Sequence, residues 1–344
     1  MAFIHDYVPV LRWKRGERVG ISHLTATSRG RVTPLFQLAP ESYVGKEKTA
    51  KRAAVPAPAA FANELKAAWG TASFYLDTAK LGSAAAAELT AVAAACSANS
   101  MEMIPISYLD APTAYQSAVA KVAASDGRGV GLRVDFAQFT DANRWAKGWP
   151  HALSATDLIL DLASSVPSVV SLGNLAIEAF KKLHQGEKWR TVTLIGSSLP
   201  ENFTGFASGT HEIERVEWKL WRKLNKASLP YQLDFGDYAT VAVTPPPSGI
   251  RWGFPINVKY TLGDHFLVCR GVNTSGLGGV DMDVQLIDHA RTITKYPNRT
   301  PLADCWADAN IDEIAAKKKQ PGNLESWVQF GVNRHVSLVR DSLP

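Results

Sequence analysis

The feature that most constrains this chain is an alternation: eight short runs rich in β-branched and aromatic residues are each followed by a helical pattern or a long connection. Such alternation builds parallel strands joined by crossover helices. The strands are predicted near Val8–Lys14, Val32–Leu38, Ser73–Asp77, Met103–Ser107, Val130–Phe136, Leu158–Leu162, Thr191–Ser197 and Tyr231–Phe235. Helical patterns are read at Ala59–Trp69, Ser83–Ala98, Thr113–Ala124, Asp141–Trp149, Val169–Gln185 and Glu212–Lys226, with Ser83, Asp141 and Ser168 as N-caps and Gly70, Gly127 and Gly186 as stops. An open doubly wound sheet would carry a glycine-rich loop after its first strand, and VLRWKRGERVG holds no GxGxxG. The expected fold is therefore α/β, a TIM-like (β/α)8 barrel.

Pro245–Pro247 break this pattern, and INVKYTLGDHFLVCRG then reads as a hairpin around Gly263-Asp264, followed by three more helical stretches. The expected organisation is a barrel over 1–244 and a C-terminal hairpin-and-helix elaboration over 245–344, packed on the barrel and supplying its last helix. With 46% apolar and 20% charged residues the chain is neither disordered nor a small disulfide scaffold. Cys96, Cys269 and Cys305 form no CxxC, which fits reduced thiols in a cytoplasmic protein. The net charge of +5 is spread over separated runs, so nucleic-acid binding is allowed without being indicated. No membrane association is expected: the alanine-rich stretch Ala84–Ala95 carries Glu88 and reads as a helix, and the N-terminus has no apolar run of signal-peptide length.

Side chains alternate across a strand, so the barrel reading assigns inward positions. Arg12 and Lys14 fall inward on the first strand, Asp77 on the third, Arg133 and Asp135 on the fifth, Asp161 on the sixth, Asp234 on the eighth, and Gln37, Ser107 and Ser197 on their own strands. Barrel enzymes work at the C-terminal strand ends. On this reading Asp135, Asp161 and Asp234 are the candidate catalytic carboxylates, acting as acid and base or holding a divalent cation such as magnesium. Arg12, Lys14, Asp77, Arg133 and Ser197 are the candidate substrate-binding residues, the cations suiting a phosphate or carboxylate. The competing reading is an ion-pair lattice that closes the barrel.

Other motifs are quieter. The loop Thr274–Val280 is glycine-rich, but Asp281 and Asp283 would repel a phosphate there and cap the following helix themselves. His335 shares a helical stretch with Trp327, Gly331, Asn333 and Arg334; it reads as a structural histidine, with a helix reaching into the mouth as the alternative. No GxSxG elbow is present, and Ser197-Ser198 lacks an identifiable histidine partner.

The opening Tyr7-Val8-Pro9-Val10-Leu11-Arg12-Trp13-Lys14-Arg15-Gly16-Glu17, with Pro34-Leu35-Phe36-Gln37-Leu38, resembles the start of the uncharacterised "beta protein" family of phages and bacteria. Cys305-Trp306-Ala307-Asp308, Gly322-Asn323-Leu324-Glu325-Ser326-Trp327 and Asn333-Arg334-His335-Val336 are similar to its C-terminal pattern, and Gln37 stands where a Glu would be expected. The resemblance carries no established reaction. It implies a part in phage and host conflict, with a phage protein or another defence-module component as partner.

Three classes of function follow. The first is a barrel enzyme acting on a phosphorylated or nucleotide-like ligand at an Asp/Arg/Lys mouth. The second is a non-catalytic sensor of a phage protein or nucleic acid. The third is a structural scaffold. A bound ion at the mouth, a basic groove, or an apolar patch over a closed mouth would separate them.

Overall fold

A computed structural model describes residues 6–49, 53–183, 188–244 and 255–344. Eight parallel strands close a barrel in the order β1 (Tyr7–Arg12), β2 (Leu35–Gln37), β3 (Phe74–Asp77), β4 (Met103–Ser107), β5 (Val130–Val134), β6 (Thr156–Asp161), β7 (Thr191–Gly196) and β9 (Asp234–Asp237), with β9 pairing back onto β1. Alternation divides their side chains into two layers. Val8, Val10, Leu35, Tyr75, Ile104, Ile106, Ile159 and Ile195 fill the interior, while Leu11, Phe36, Leu76, Leu132, Leu160, Leu194 and Phe235 face the helices. Gly131 leaves room inside, since a Cβ there would lie 2.5 Å from Ile106 Cδ1.

The strand omitted from that order is β8 (Gly209–Glu214), inserted between β7 and the helix Val216–Asn225. It joins β10 (Pro255–Thr261) and β11 (His265–Asn273) in an antiparallel sheet of order β10-β11-β8. The sequence pattern predicts a helix through Glu212–Lys226, but the chain is strand to Glu214 and helix only from Val216. One face of this sheet, through Ile256, Val258, Tyr260 and Leu267, packs on the helices Met282–Thr294 and Trp306–Ala315. From the other face Phe266 and Val268 meet Leu199 and Phe203, in the loop that follows β7.

The last helix, Leu324–Ser342, ties the two cores together. Its Trp327 and Phe330 belong to the small sheet's core, and its Val332, Val336 and Val339 to the barrel's outer layer. It lies so close to the helix Arg15–Ser22 that a Cβ on Gly16 would come 2.9 Å from Val328 Cγ1, and one on Gly20 2.9 Å from the Gln329 carbonyl oxygen. Asn333 adds a hydrogen bond, its Nδ2 donating to the Gly20 carbonyl at 3.1 Å. A capping box between Asn323 and Ser326 starts this helix.

Gly70 and Gly127 end their helices; Gly186 and Pro245–Pro247 lie outside the described residues. Ser83, Asp141 and Ser168 cap nothing with their side chains; Thr25, Asp135, Asp281 and Asn323 do so instead. The segment Ala79–Ala98 is long and apolar enough to cross a membrane by length and composition. Here Leu89, Val92 and Cys96 of that segment pack into the layer around the barrel. All three cysteines are free and buried.

Candidate functional site: the C-terminal mouth of the barrel

Where β3, β5 and β6 end, one cation spans two carboxylates. Arg133 donates from Nε to Asp161 Oδ2 at 2.8 Å and from Nη1 to Asp77 Oδ2 at 3.0 Å. Its Nη2 also reaches Asp161 and lies 2.6 Å from the Tyr238 hydroxyl. Tyr108 donates to Asp77 at 2.5 Å, Tyr238 to Asp161 at 2.6 Å, and Gln37 Nε2 to Asp77 at 3.1 Å. The two outer carboxylate oxygens take turn amides, Ala79 N–H to Asp77 at 3.0 Å and Ala163 N–H to Asp161 at 2.8 Å. Every carboxylate oxygen therefore has a donor. Against the cost of burial, Asp161, the two phenols and Asp77 hold the Arg133 guanidinium well above its ordinary value. This is the lattice anticipated as the alternative at these residues, and the two phenols are what let one arginine serve two acids.

A different environment surrounds Arg12 at the end of β1. The residue is 7% exposed, and Nη2 donates to the carbonyls of Ala242 and Val243, the latter at 2.8 Å. Among the described residues Nε has no partner, and no carboxylate forms an ion pair within 4 Å of the guanidinium. Burial, opposed chiefly by Glu17, draws its pKa down. Further cations stand nearby. Lys259 on β10 donates to the Thr240 carbonyl at 2.9 Å and is pulled down to about 8 by burial and by the charge of Arg12. Lys80, exposed at the rim, is lowered by partial desolvation and then by Arg12. The buried acid in this group is Glu17, 2% exposed, whose Oε2 has no partner and whose carboxyl is pushed up to about 8 by burial. Burial thus disfavours the charged form that would balance the cations.

Outside the ends of β1 and β2 runs a rim cleft of about 390 Å³, bounded by Lys14, Arg15, Arg18 and Lys46, with Glu41 and Glu64 as its acids. Glu41 joins cleft to mouth: it lies 4.0 Å from Lys14, and its charge acts on both Arg12 and Lys80.

Several sequence expectations are corrected here. Asp135 does not point inward: β5 stops at Val134, and the exposed Asp135 caps the helix Phe136–Thr140, accepting from Gln138 N–H at 2.8 Å. Asp234 sits at the opposite end of the barrel because β9 begins, rather than ends, with it. It accepts from Asp6 N–H at 3.0 Å and Gln232 Nε2 at 2.7 Å, and burial pushes it up to about 7. Lys14 lies beyond the end of β1, on the rim beside Glu41. Ile104 and Ile106 take the inward positions of β4, leaving Ser107 on the other parity. Ser197 is buried in the mouth and accepts from Leu199 N–H at 3.3 Å. Among the described residues no group of three or more His, Cys, Asp or Glu is placed to hold a metal ion.

His335 is structural and fully buried. It stays out of the mouth, between Asp237 and Thr261. Ser198 is held by Glu217 and the Val216 amide, and Asp281 caps its own helix as anticipated. The mouth residues missed from sequence are Glu17, Lys80, Tyr108, Tyr238 and Lys259. Only Tyr108 and Tyr238, each one residue past a strand end and on inward parity, left a readable signal.

No curated protein matches this chain. A family model does, that of the Beta protein family, over residues 7–341. That match takes in every strand of the barrel and the helix that closes it, and the chain therefore belongs to the Beta protein family.

Proposed function

We propose that the mouth binds an anionic ligand, phosphorylated or nucleotide-like, on Arg12 with Lys80 and Lys259 beside it, and that the protein acts in phage and host conflict by binding rather than by acid–base chemistry. The observation that carries the reading is Arg12, a nearly buried arginine that, among the described residues, has peptide carbonyls as its only acceptors and one N–H unmet. Buried arginines ordinarily face a carboxylate. Here burial disfavours the charged form of the acid close by and two more cations are near, an arrangement whose repulsion a bound anion would relieve. The rim cleft gives the remainder of such a ligand a place to lie. Asp77 and Asp161 are saturated by Arg133, two phenols and turn amides, which favours a frame over a catalytic pair.

The test is the thermal midpoint of the full chain in phosphate against chloride at equal ionic strength. A ligand that binds only the folded state raises the midpoint with its concentration. The expected result is a rise specific to phosphate and absent in Arg12→Gln. Identical midpoints in the two salts would remove the support for this reading.

A further inference from the structure

We infer that the anion bound at Arg12 carries a hydroxyl group beside its charge, and that Gln37 recognises that hydroxyl. This rests on the reading of the mouth as an anion site and adds the chemistry of the ligand's neighbouring group.

Gln37 ends β2, where it is the register partner of Arg12 on β1. Both side chains enter the lumen, following the inward Leu35 and Val10. Gln37 is 3% exposed, and its Nε2 donates to Asp77 Oδ2 at 3.1 Å. That bond fixes which way the amide lies, because a flip would set its oxygen against a carboxylate oxygen. Oε1 is therefore turned away from Asp77, and it has no donor. On its register partner, Arg12 Nε likewise has no acceptor among the described residues. One strand thus presents an unmet donor and its neighbour an unmet acceptor, on backbones about 4.8 Å apart. Buried polar atoms are seldom left so.

A single ligand meets both needs if it offers an anionic oxygen to Arg12 and an O–H to Gln37. Sulfate offers acceptors alone and would leave the Gln37 oxygen stranded. The hydroxyl has two possible sources, a sugar ring next to a phosphate or the P–OH of a phosphate monoanion, and three probes distinguish them. Ribose 5-phosphate has both kinds of hydroxyl, ethyl phosphate only its own P–OH, and sulfate neither at neutral pH.

The experiment is isothermal titration of the full chain with each probe. Ribose 5-phosphate binding about tenfold tighter than ethyl phosphate assigns the hydroxyl to the sugar; equal affinities of the two, each about tenfold tighter than sulfate, assign it to the phosphate. In either case Gln37→Met should reduce the preference to within about twofold while sulfate affinity holds. Asp77 keeps Arg133, Tyr108 and the Ala79 amide in that variant, so the frame persists. Three equal affinities would overturn the hydroxyl inference and leave the anion site standing. No binding by any probe would overturn the anion site itself, and this inference with it.

Discussion

His335 Nε2 lies 2.7 Å from Asp237 Oδ2, a hydrogen bond between the last helix and the last barrel strand that bridges 98 positions of chain. Burial draws the imidazole's pKa down, against the pull of the Asp237 carboxylate. Nε2–H donates to Asp237, and Nδ1 lies 2.9 Å from the Thr261 hydroxyl. Tyr7 also donates to Asp237, at 2.6 Å, and Arg215 lies 3.4 Å away. One buried carboxylate therefore joins the barrel, the inserted segment and the C-terminal helix.

The stability of that junction should depend on acid. Against the penalty of burial, His335, Arg215 and Tyr7 hold Asp237 down at about 2. A carboxyl lowered on folding stabilises the fold above its unfolded pKa and loses that contribution as pH falls. Chemical denaturation should show stability declining from about pH 4 toward pH 2, with Asp237→Asn flattening the decline and costing about 3 to 5 kcal/mol at pH 7. An unchanged acid profile in Asp237→Asn would count against the junction.

Glu17 has the opposite sign. Its carboxyl is raised to about 8, so the contribution of its protonated form is complete below about pH 4.5 and is lost as pH rises toward about 8. Glu17→Gln should gain on the wild type between pH 5 and pH 8.5 by at least about 1 kcal/mol, read from urea midpoints at both pH values. Parallel profiles for the two proteins would place Glu17 in water.

Arg133 and Asp135 separate frame from surface. Arg133→Ala strands two carboxylates that are 1% and 8% exposed and should cost about 3 to 5 kcal/mol. Asp135→Ala removes one exposed cap and should cost about 1 kcal/mol, with no effect on phosphate binding. Equal losses in the two variants would contradict this division.

Truncation after Gln320 removes Trp327, Phe330, Val332, Val336 and Val339 from two cores. At about 1.5 to 3 kcal/mol for each large buried apolar side chain, the loss exceeds the usual margin of a domain. The product should be insoluble, whereas a soluble, cooperatively folded truncation would show the barrel to be self-sufficient.

Much of this fold was readable because burial imposes a period on the sequence. Arg12, Gln37, Asp77, Arg133, Asp161 and Ser197 are inward by simple alternation with apolar neighbours. Alternation says nothing of where a strand stops, and that boundary decided the remaining site residues. Asp135 follows the last residue of β5 and was free to cap a helix. Asp234 begins β9, so the correct parity placed it at the wrong end. β8 escaped notice because Thr210, His211 and Glu212 carry no apolar face, and the strand pairs through its backbone. Glu17 lies among Lys14, Arg15 and Arg18 and reads as solvent-exposed; only packing reveals it as buried. Lys80 and Lys259 approach Arg12 from distant parts of the chain, which no local pattern encodes.

The proposed anion site is formed by the cations around Arg12. It is tested most directly by isothermal titration of inorganic pyrophosphate into the wild-type chain and Arg12→Gln, with circular dichroism showing both to be folded. Saturable binding to the wild type is expected, weakened at least about tenfold in Arg12→Gln by the loss of a charge-assisted hydrogen bond. Saturable binding of equal strength in both proteins, or none in the wild type, would contradict it.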